Sequence, residues 1–187
     1  MANYNKKISD TTVRLGEGMF SFVHVFEPRQ GDDGKPGKYG VAFLWDKSDD
    51  STTNMVKGAI AAARELAKTK GIKLPANCKI PLRDGDIDRE DDENFAGKYF
   101  FNANCGQKPG VRVLDGGQVV EALDEDDFYS GCIGAITVNF FPYDSNGNKG
   151  IGAGLNNVIK TKDGPKLSGG TNADADFADM GGGSVLD

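Results

Sequence analysis

The stretch TVRLGEGMFSFVHVFE, residues Thr12 to Glu27, reads as one long strand interrupted at Gly16-Glu17-Gly18. Glycines inside a strand pattern mark a bulge or a sharp bend, where a backbone without Cβ can turn or be approached closely. Beyond the bend, alternation puts Phe20, Phe22, His24 and Phe26 on one face and Met19, Ser21, Val23 and Val25 on the other. A first strand coiled at a glycine bulge is what a small closed barrel requires, because one strand must serve both of its sheets. His24 is accordingly a strand residue rather than a ligand.

Outward from this strand, Pro28 to Gly37 (PRQGDDGKPG) is a loop by composition, and Lys38 to Lys47 is a second strand. Tyr39, Val41, Phe43 and Trp45 share one face of it, so Trp45 is read as core rather than as a base-stacking platform. Asp49 and the residues after it supply caps for a helix whose apolar positions Val56, Ala59, Ile60, Ala63, Leu66 and Ala67 continue to about Lys70. Its outward bases Lys57, Arg64, Lys68 and Lys70 form a solvated face. Phe95 to Ala103 is a third strand, with Tyr99 and Phe101 toward the core, while Asn102 and Asn104 mark the other side as polar beside Lys98 and Phe100. Pro109 to Leu114 is a short fourth segment. Cys132 to Tyr143 and Gly150 to Lys162 form a closing hairpin around Asp144-Ser145-Asn146-Gly147-Asn148.

The chain has 187 residues, 38% of them hydrophobic, and 26 glycines, a balance that favours a turn-rich β domain over a helical bundle. No apolar run approaches the roughly 18 residues of a membrane span, and MANYNKKISD has no signal-peptide core, so a soluble protein is expected. Cys78, Cys105 and Cys132 are far apart and odd in number. They are expected as reduced, mostly buried thiols rather than as a disulfide framework or, with His24, a zinc site.

The net charge of −6 is unusual for a protein that binds phosphates. The acids are concentrated, however. Leu82 to Gly97 holds seven acids against Arg83 and Arg89, and Glu121 to Asp127 holds five acids and no base. Lys98 to Leu114 carries Lys98, Lys108 and Arg112 without an acid, which leaves room for a local basic groove.

Asp84, Asp86 and Asp88 alternate as in a calcium loop, but Arg89 and Phe95 stand where that loop needs Gly and Glu. Two-metal catalysis would need these carboxylates on rigid elements, and the run reads as a mobile loop. Gly150 to Gly154 is rich in glycine, yet LNNVIK follows with strand-like alternation instead of the helix a phosphate-binding loop must open. No Walker sequence, nucleophile elbow or paired histidines occur, so no catalytic residue, metal or cofactor is assigned.

After Lys162 periodicity ends. Gly169-Gly170-Thr171-Asn172 and Gly181-Gly182-Gly183-Ser184 read as linker, and Asp174-Ala-Asp176-Phe177 lies between them. The expected division is a domain over 1–162 and a flexible Gly/Asp-rich tail over 163–187.

Several stretches occur together in a recognisable order: KYGVAFLWDKSDDSTTNMVKGAIAAAREL, then PLRDGD and FAGKYFFNANCGQKPGV, then DFYSGCIGAITVNFFPYDSNGNKGIGAGLNNVIKTKDG and LSGGTNADADF. Over most of Lys38 to Phe177 the chain resembles the tailed-phage single-stranded-DNA-binding proteins of the OB-fold type. Trp45 and Asp46 stand where that family often has an aliphatic residue and proline, which fits Trp45 as core. The helix also comes earlier than in the usual OB-fold order.

The resemblance implies a mainly β, OB-fold-like, closed or partly open barrel with one helix and a flexible acidic tail. It implies sequence-tolerant binding of single-stranded DNA during phage replication and recombination, without catalysis, in the host-cell cytoplasm. Charge and strand face nominate Lys98, Phe100, Lys108, Arg112, Lys149, Lys160 and Lys162 for DNA. Asp174, Asp176 and Phe177 are nominated for replication partners such as a polymerase or helicase, and a homo-oligomer is compatible with this role. Two further functions are carried alongside: a metal-dependent nuclease using Asp84, Asp86 and Asp88, and an interaction module acting only through the tail.

Overall fold

The computed structural model describes residues 2–31, 33–167 and 180. Strand β1 (Lys6–Lys7) and the long β2 (Thr12–His24) lead to β3 (Tyr39–Asp46) and helix α1 (Asp50–Thr69). The acidic stretch forms β4 (Arg83–Asp84), a one-turn helix α2 (Gly85–Asp88) and a 3-10 turn over Glu93–Phe95. Then come β5 (Lys98–Cys105), β6 (Gly110–Asp115), β7 (Gln118–Glu121), β8 (Ile133–Ser145) and β9 (Asn148–Lys162). The tail residues Asp174, Asp176 and Phe177 lie outside the described residues.

The fold is mainly β with some helix. One nine-stranded sheet runs β4-β5-β3-β2-β8-β9-β6-β7, with β1 added to β2. It curls into a partial ring until β5 and β9 meet at Asn104 and Gly154.

The curl originates in β2, which pairs with β8 from Thr12 to Met19 and with β3 from Met19 to His24. Register on β8 shifts between Gly16 and Gly18. A Cβ on Gly18 would lie 2.4 Å from the Phe43 ring and 2.6 Å from the Leu44 carbonyl oxygen, so only glycine allows β3 this close.

A second irregularity departs from the alternation expected of this strand. Register on β3 shifts between Ser21 and His24, and Phe22 sits there with φ 48°. Phe20 points into the core, whereas Phe22 is 36% exposed and lies on the outer face. The two rings are therefore on opposite faces.

Inside the ring, Phe20, Phe43, Phe101 and Phe140 form a chain of rings with centroids 5.4 to 5.7 Å apart. Helix α1 covers one end, packing Val56, Ala59, Ile60 and Ala63 against the core beside β8 and β2. Asp49 caps the helix by accepting from Thr52 N–H, and buried Trp45 donates its indole N–H to Thr53 Oγ1 at 2.9 Å. This bond gives Trp45 a structural duty that matches its reading as core. Gly150 to Gly154 lies within β9.

Two other expectations are corrected. The third strand begins at Lys98, not Phe95, because Phe95 ends the 3-10 turn and is buried on the sheet's outer face with Ala42, Leu44 and Phe100. Of the cysteines only Cys132 is buried, where desolvation pushes its thiol up to about 11; Cys78 and Cys105 are half-buried.

Gly18→Ala is expected to lower the free energy of unfolding by about 1–3 kcal/mol, the usual cost of forcing extra volume into a packed site. Urea unfolding of the two proteins checks this, and equal midpoints would contradict the account of the bend.

Candidate nucleic-acid interface

The outer face of β2, β3 and β5 is divided in two. Toward Met19, the residues Ala42, Leu44 and Phe100 are apolar and covered by Phe95. Toward the other end, β5 turns Asn102 and Asn104 outward beside Ala42 and Gly40, their partners on β3. Gly40 matters here, since a Cβ would lie 2.3 Å from Asn104 Oδ1; its absence lets that amide lie against the sheet.

This uncovered part is the floor of a groove of about 780 Å³ lined by Phe22, His24, Pro28, Arg29, Gln30, Arg83, Arg89, Asn102 and Asn104. The Arg89 guanidinium lies over the Phe22 ring, 4.5 Å from its centroid, and 5.4 Å from that of Phe95. Aromatic and large residues rarely adopt positive φ, a conformation costing roughly 1–3 kcal/mol and concentrated at ligand sites. Here it turns a ring that alternation would bury out into the groove.

Burial, helped by the charge of Arg29, lowers the His24 pKa and favours the neutral imidazole at pH 7. The loop bearing Arg29 is held by its own backbone, with Arg29 N–H donating to Lys38 O and Gly37 N–H to Arg29 O.

Among the described residues, no carboxylate lies within 4.0 Å of Arg29, Arg83 or Arg89. The nominated lysines differ. Lys98 is paired with Asp46, Lys149 with Asp144 at 3.9 Å and Lys162 with Glu17 at 3.4 Å. Lys160 is held by Asp163 at 2.8 Å, and Tyr129 also donates to that carboxylate. This pairing keeps Asp163 below the usual carboxylate range, the Lys160 ammonium being its largest cause.

The structure does not gather the seven nominated DNA residues. Phe100 is 2% exposed, so its ring is closed to a base. Lys108 and Arg112 come together around Phe26, where Lys108 Nζ stands 5.8 Å from the ring centroid. Lys149 is at the turn of the β8–β9 hairpin, and Lys160 and Lys162 are at the strand's far end.

The groove residues missed in the sequence were hidden for definite reasons. Alternation puts Phe22 on the face of Phe20, and Arg83 and Arg89 stand among seven acids. Their presence as the only bases in that run was the available signal.

The acidic stretch, expected as a loop, forms β4, α2 and a 3-10 turn and is tied to its neighbours. Lys47 pairs with Asp84 and Asp86 at 2.6 Å each, and Asp86 Oδ1 accepts from Gly97 N–H at 2.9 Å. A lysine thus stands between two carboxylates of the nuclease alternative. Among the described residues, no group of three or more His, Cys, Asp and Glu side chains is placed to hold a metal ion.

A curled β sheet whose open face carries an aromatic ring among arginines that have no acidic partner among the described residues combines the two features of single-strand binders, a surface for stacking bases and cations for phosphates. The family model described as the Enterobacter phage Enc34 ssDNA-binding protein matches residues 11–184, and the chain belongs to this family. The p50 protein of Acyrthosiphon pisum secondary endosymbiont phage 1 is 32% identical over 165 residues, covering 84% of this chain and 87% of that protein.

Among solved structures, the single-stranded-DNA-binding protein from bacteriophage Enc34 in complex with ssDNA has a similar fold. The match has TM-score 0.74 and 22% identity over 87% of this chain and 96% of that one. A more distant fold likeness is gp2.5, a single-stranded-DNA-binding protein encoded by bacteriophage T7. Its TM-score is 0.53 at 16% identity, over 86% of this chain and 97% of that one.

The Lys47 clamp is open to a pH test. The Lys47 ammonium, followed by the Gly97 N–H, holds the Asp86 carboxyl below its ordinary value of 3.8. A lowered folded pKa gives stability that is complete above the ordinary value and lost as pH falls through the lowered one. Hydrogen exchange is therefore expected to show the Gly97 amide losing protection on acidification below the carboxylate range, and already at neutral pH in Lys47→Met. Unchanged protection in Lys47→Met would contradict the clamp.

Proposed function

We propose that this protein binds single-stranded DNA without sequence preference and coats it during phage DNA replication and recombination, in the host-cell cytoplasm. The observation that carries this reading is the uncovered outer face, where Phe22 is exposed amid Arg29, Arg83 and Arg89 and none of these has an acidic partner among the described residues. Unpaired guanidinium groups attract phosphates and release their counterions. Guanidinium groups also stack on bases through their planar faces, and Arg89 already lies over an aromatic ring, that of Phe22.

Stacking tolerates sequence because every base has a π face, and the Asn102 and Asn104 amides each offer a donor and an acceptor. Bases in a duplex are already stacked on one another, so the platform favours single strands. Family membership and the fold shared with the Enc34 protein support the same conclusion.

In this proposal the partial ring functions as an OB-type barrel over residues 1–162. The groove lies on the outer face of β2, β3 and β5 and is lined from β2 by Phe22 and His24 and from β5 by Asn102 and Asn104. Lys108 and Arg112, beside Phe26, provide a further phosphate contact outside the groove. Residues 163–187 form the acidic tail, and Asp174, Asp176 and Phe177 recruit replication proteins.

Fluorescence anisotropy with labelled oligo-dT tests the reading. Salt-sensitive binding is expected, weaker on duplex. Phe22→Ala should weaken it by about 1–3 kcal/mol, roughly 5- to 150-fold. Arg89→Ala should reduce the slope of log affinity against log salt by about 0.7. Absence of binding at low salt, by both the full chain and one truncated after Lys166, would overturn the proposal.

A further inference from the structure

Strand β7 ends one side of the sheet, and all four of its residues are exposed. Among the described residues it pairs with β6 alone, from Arg112–Glu121 to Asp115–Gln118, and Ala122 N–H continues the ladder to Val111 O at 3.0 Å. Antiparallel alternation turns the backbone groups of Gln118, Val120 and Ala122 toward β6 and those of Val119 and Glu121 outward. The edge is therefore an open row of donors and acceptors.

Natural edges are blunted by shortness, by charge (lysine above all), by proline, by a bulge or by a covering element, and β7 has the first of these and one acid, Glu121. Gln118–Glu121, QVVE, carries no lysine or proline. Instead Val119, Val120 and Leu123 are exposed by 63%, 38% and 79%, a concentration of apolar surface on a free strand.

The charge around this edge selects its occupant. Gln118 to Asp127 holds Glu121, Asp124, Glu125, Asp126 and Asp127 with no base. Arg112 faces Glu121 across the strand pair, and Lys166 reaches Asp126 at 3.9 Å; both leave most of the charge unmatched. Phosphates are repelled by the acids from Asp124 to Asp127. A second copy joining edge to edge would set the same acids against one another. The chain's own C-terminal tail, with Asp174, Asp176 and Asp179, has the same sign.

We propose that β7 is a docking strand for an extended, lysine- or arginine-bearing segment of a partner protein, which adds to the sheet as its next strand. Backbone hydrogen bonds from Val119 and Glu121 provide the pairing. Val119 and Val120 offer apolar contact on opposite faces, and the acids from Glu121 to Asp127 set the charge preference. The site is separate from the groove lined by Phe22 and Arg29.

The test uses the full chain and a short peptide of alternating lysine and valine, followed by calorimetry and by amide shifts in NMR spectra. Binding with shifts concentrated from Val119 to Leu123 is expected. An equally charged peptide with a central proline should not bind. Val119→Pro removes an outward N–H while leaving the β6 ladder, and should weaken binding about tenfold or more. Glu125→Lys with Asp126→Lys lies outside the strand and should weaken it comparably, which keeps the test valid if the proline variant does not fold. Undiminished binding by either folded variant, equal binding of the proline peptide, or shifts centred on Phe22 and Arg29 would each overturn the proposal.

Discussion

The structure depends on β2 having two neighbours at once. Its first half is bonded to β8 and its second to β3, with Met19 belonging to both ladders. A strand can do this only by bending sharply, and the bend occurs where Gly16 and Gly18 allow close approach. The turn brings Leu15 and Phe20 into a single core with Phe43 and Ile136. Helix α1 then closes an end of the curled sheet, pinned by the Trp45–Thr53 bond. A flat β2 would leave two half-sheets without a common interior.

The same strand positions the proposed binding face. Its second irregularity, at Phe22, turns an aromatic ring out of the core and onto a surface that would otherwise be amide and backbone. The acidic segment then divides that surface. Phe95 seals the apolar part, Lys47 ties down Asp84 and Asp86, and Arg83 and Arg89 remain directed to the open part. A run of net negative charge therefore delivers to a groove two positive groups that have no acidic partner among the described residues. The overall charge of −6 says little about the field a ligand would meet there.

Much of the fold was legible in the sequence because it rests on local signals. The Gly16–Gly18 bend, the helix cap at Asp49, the alternation of β3 and the β8–β9 hairpin are each written in adjacent residues. The minor strands β1, β4 and β7 were not legible, since short edge pieces have no periodicity of their own. The groove was largely hidden for a different reason. Alternation placed Phe22 with Phe20, and nothing in the residue types announces a bulge between Ser21 and His24. Choosing lysines by strand face also ignored their partners: Asp46, Glu17, Asp144 and Asp163 come from other elements or turns and engage four of them. Asn102 and Asn104 were correctly read as polar-facing, but their role as a floor emerges only when Arg29 and Arg83 are brought over them.

In the proposed complex the exposed Phe22 ring, and not the larger buried Trp45, receives the bases. Ultraviolet cross-linking of oligo-dT to the full chain, with the modified residue located by mass spectrometry, tests it most directly. Cross-links are expected at Phe22 and in the peptides carrying Arg29 and Arg89. Cross-links confined to the outer face of α1 or to the β8–β9 turn around Lys149 would contradict it.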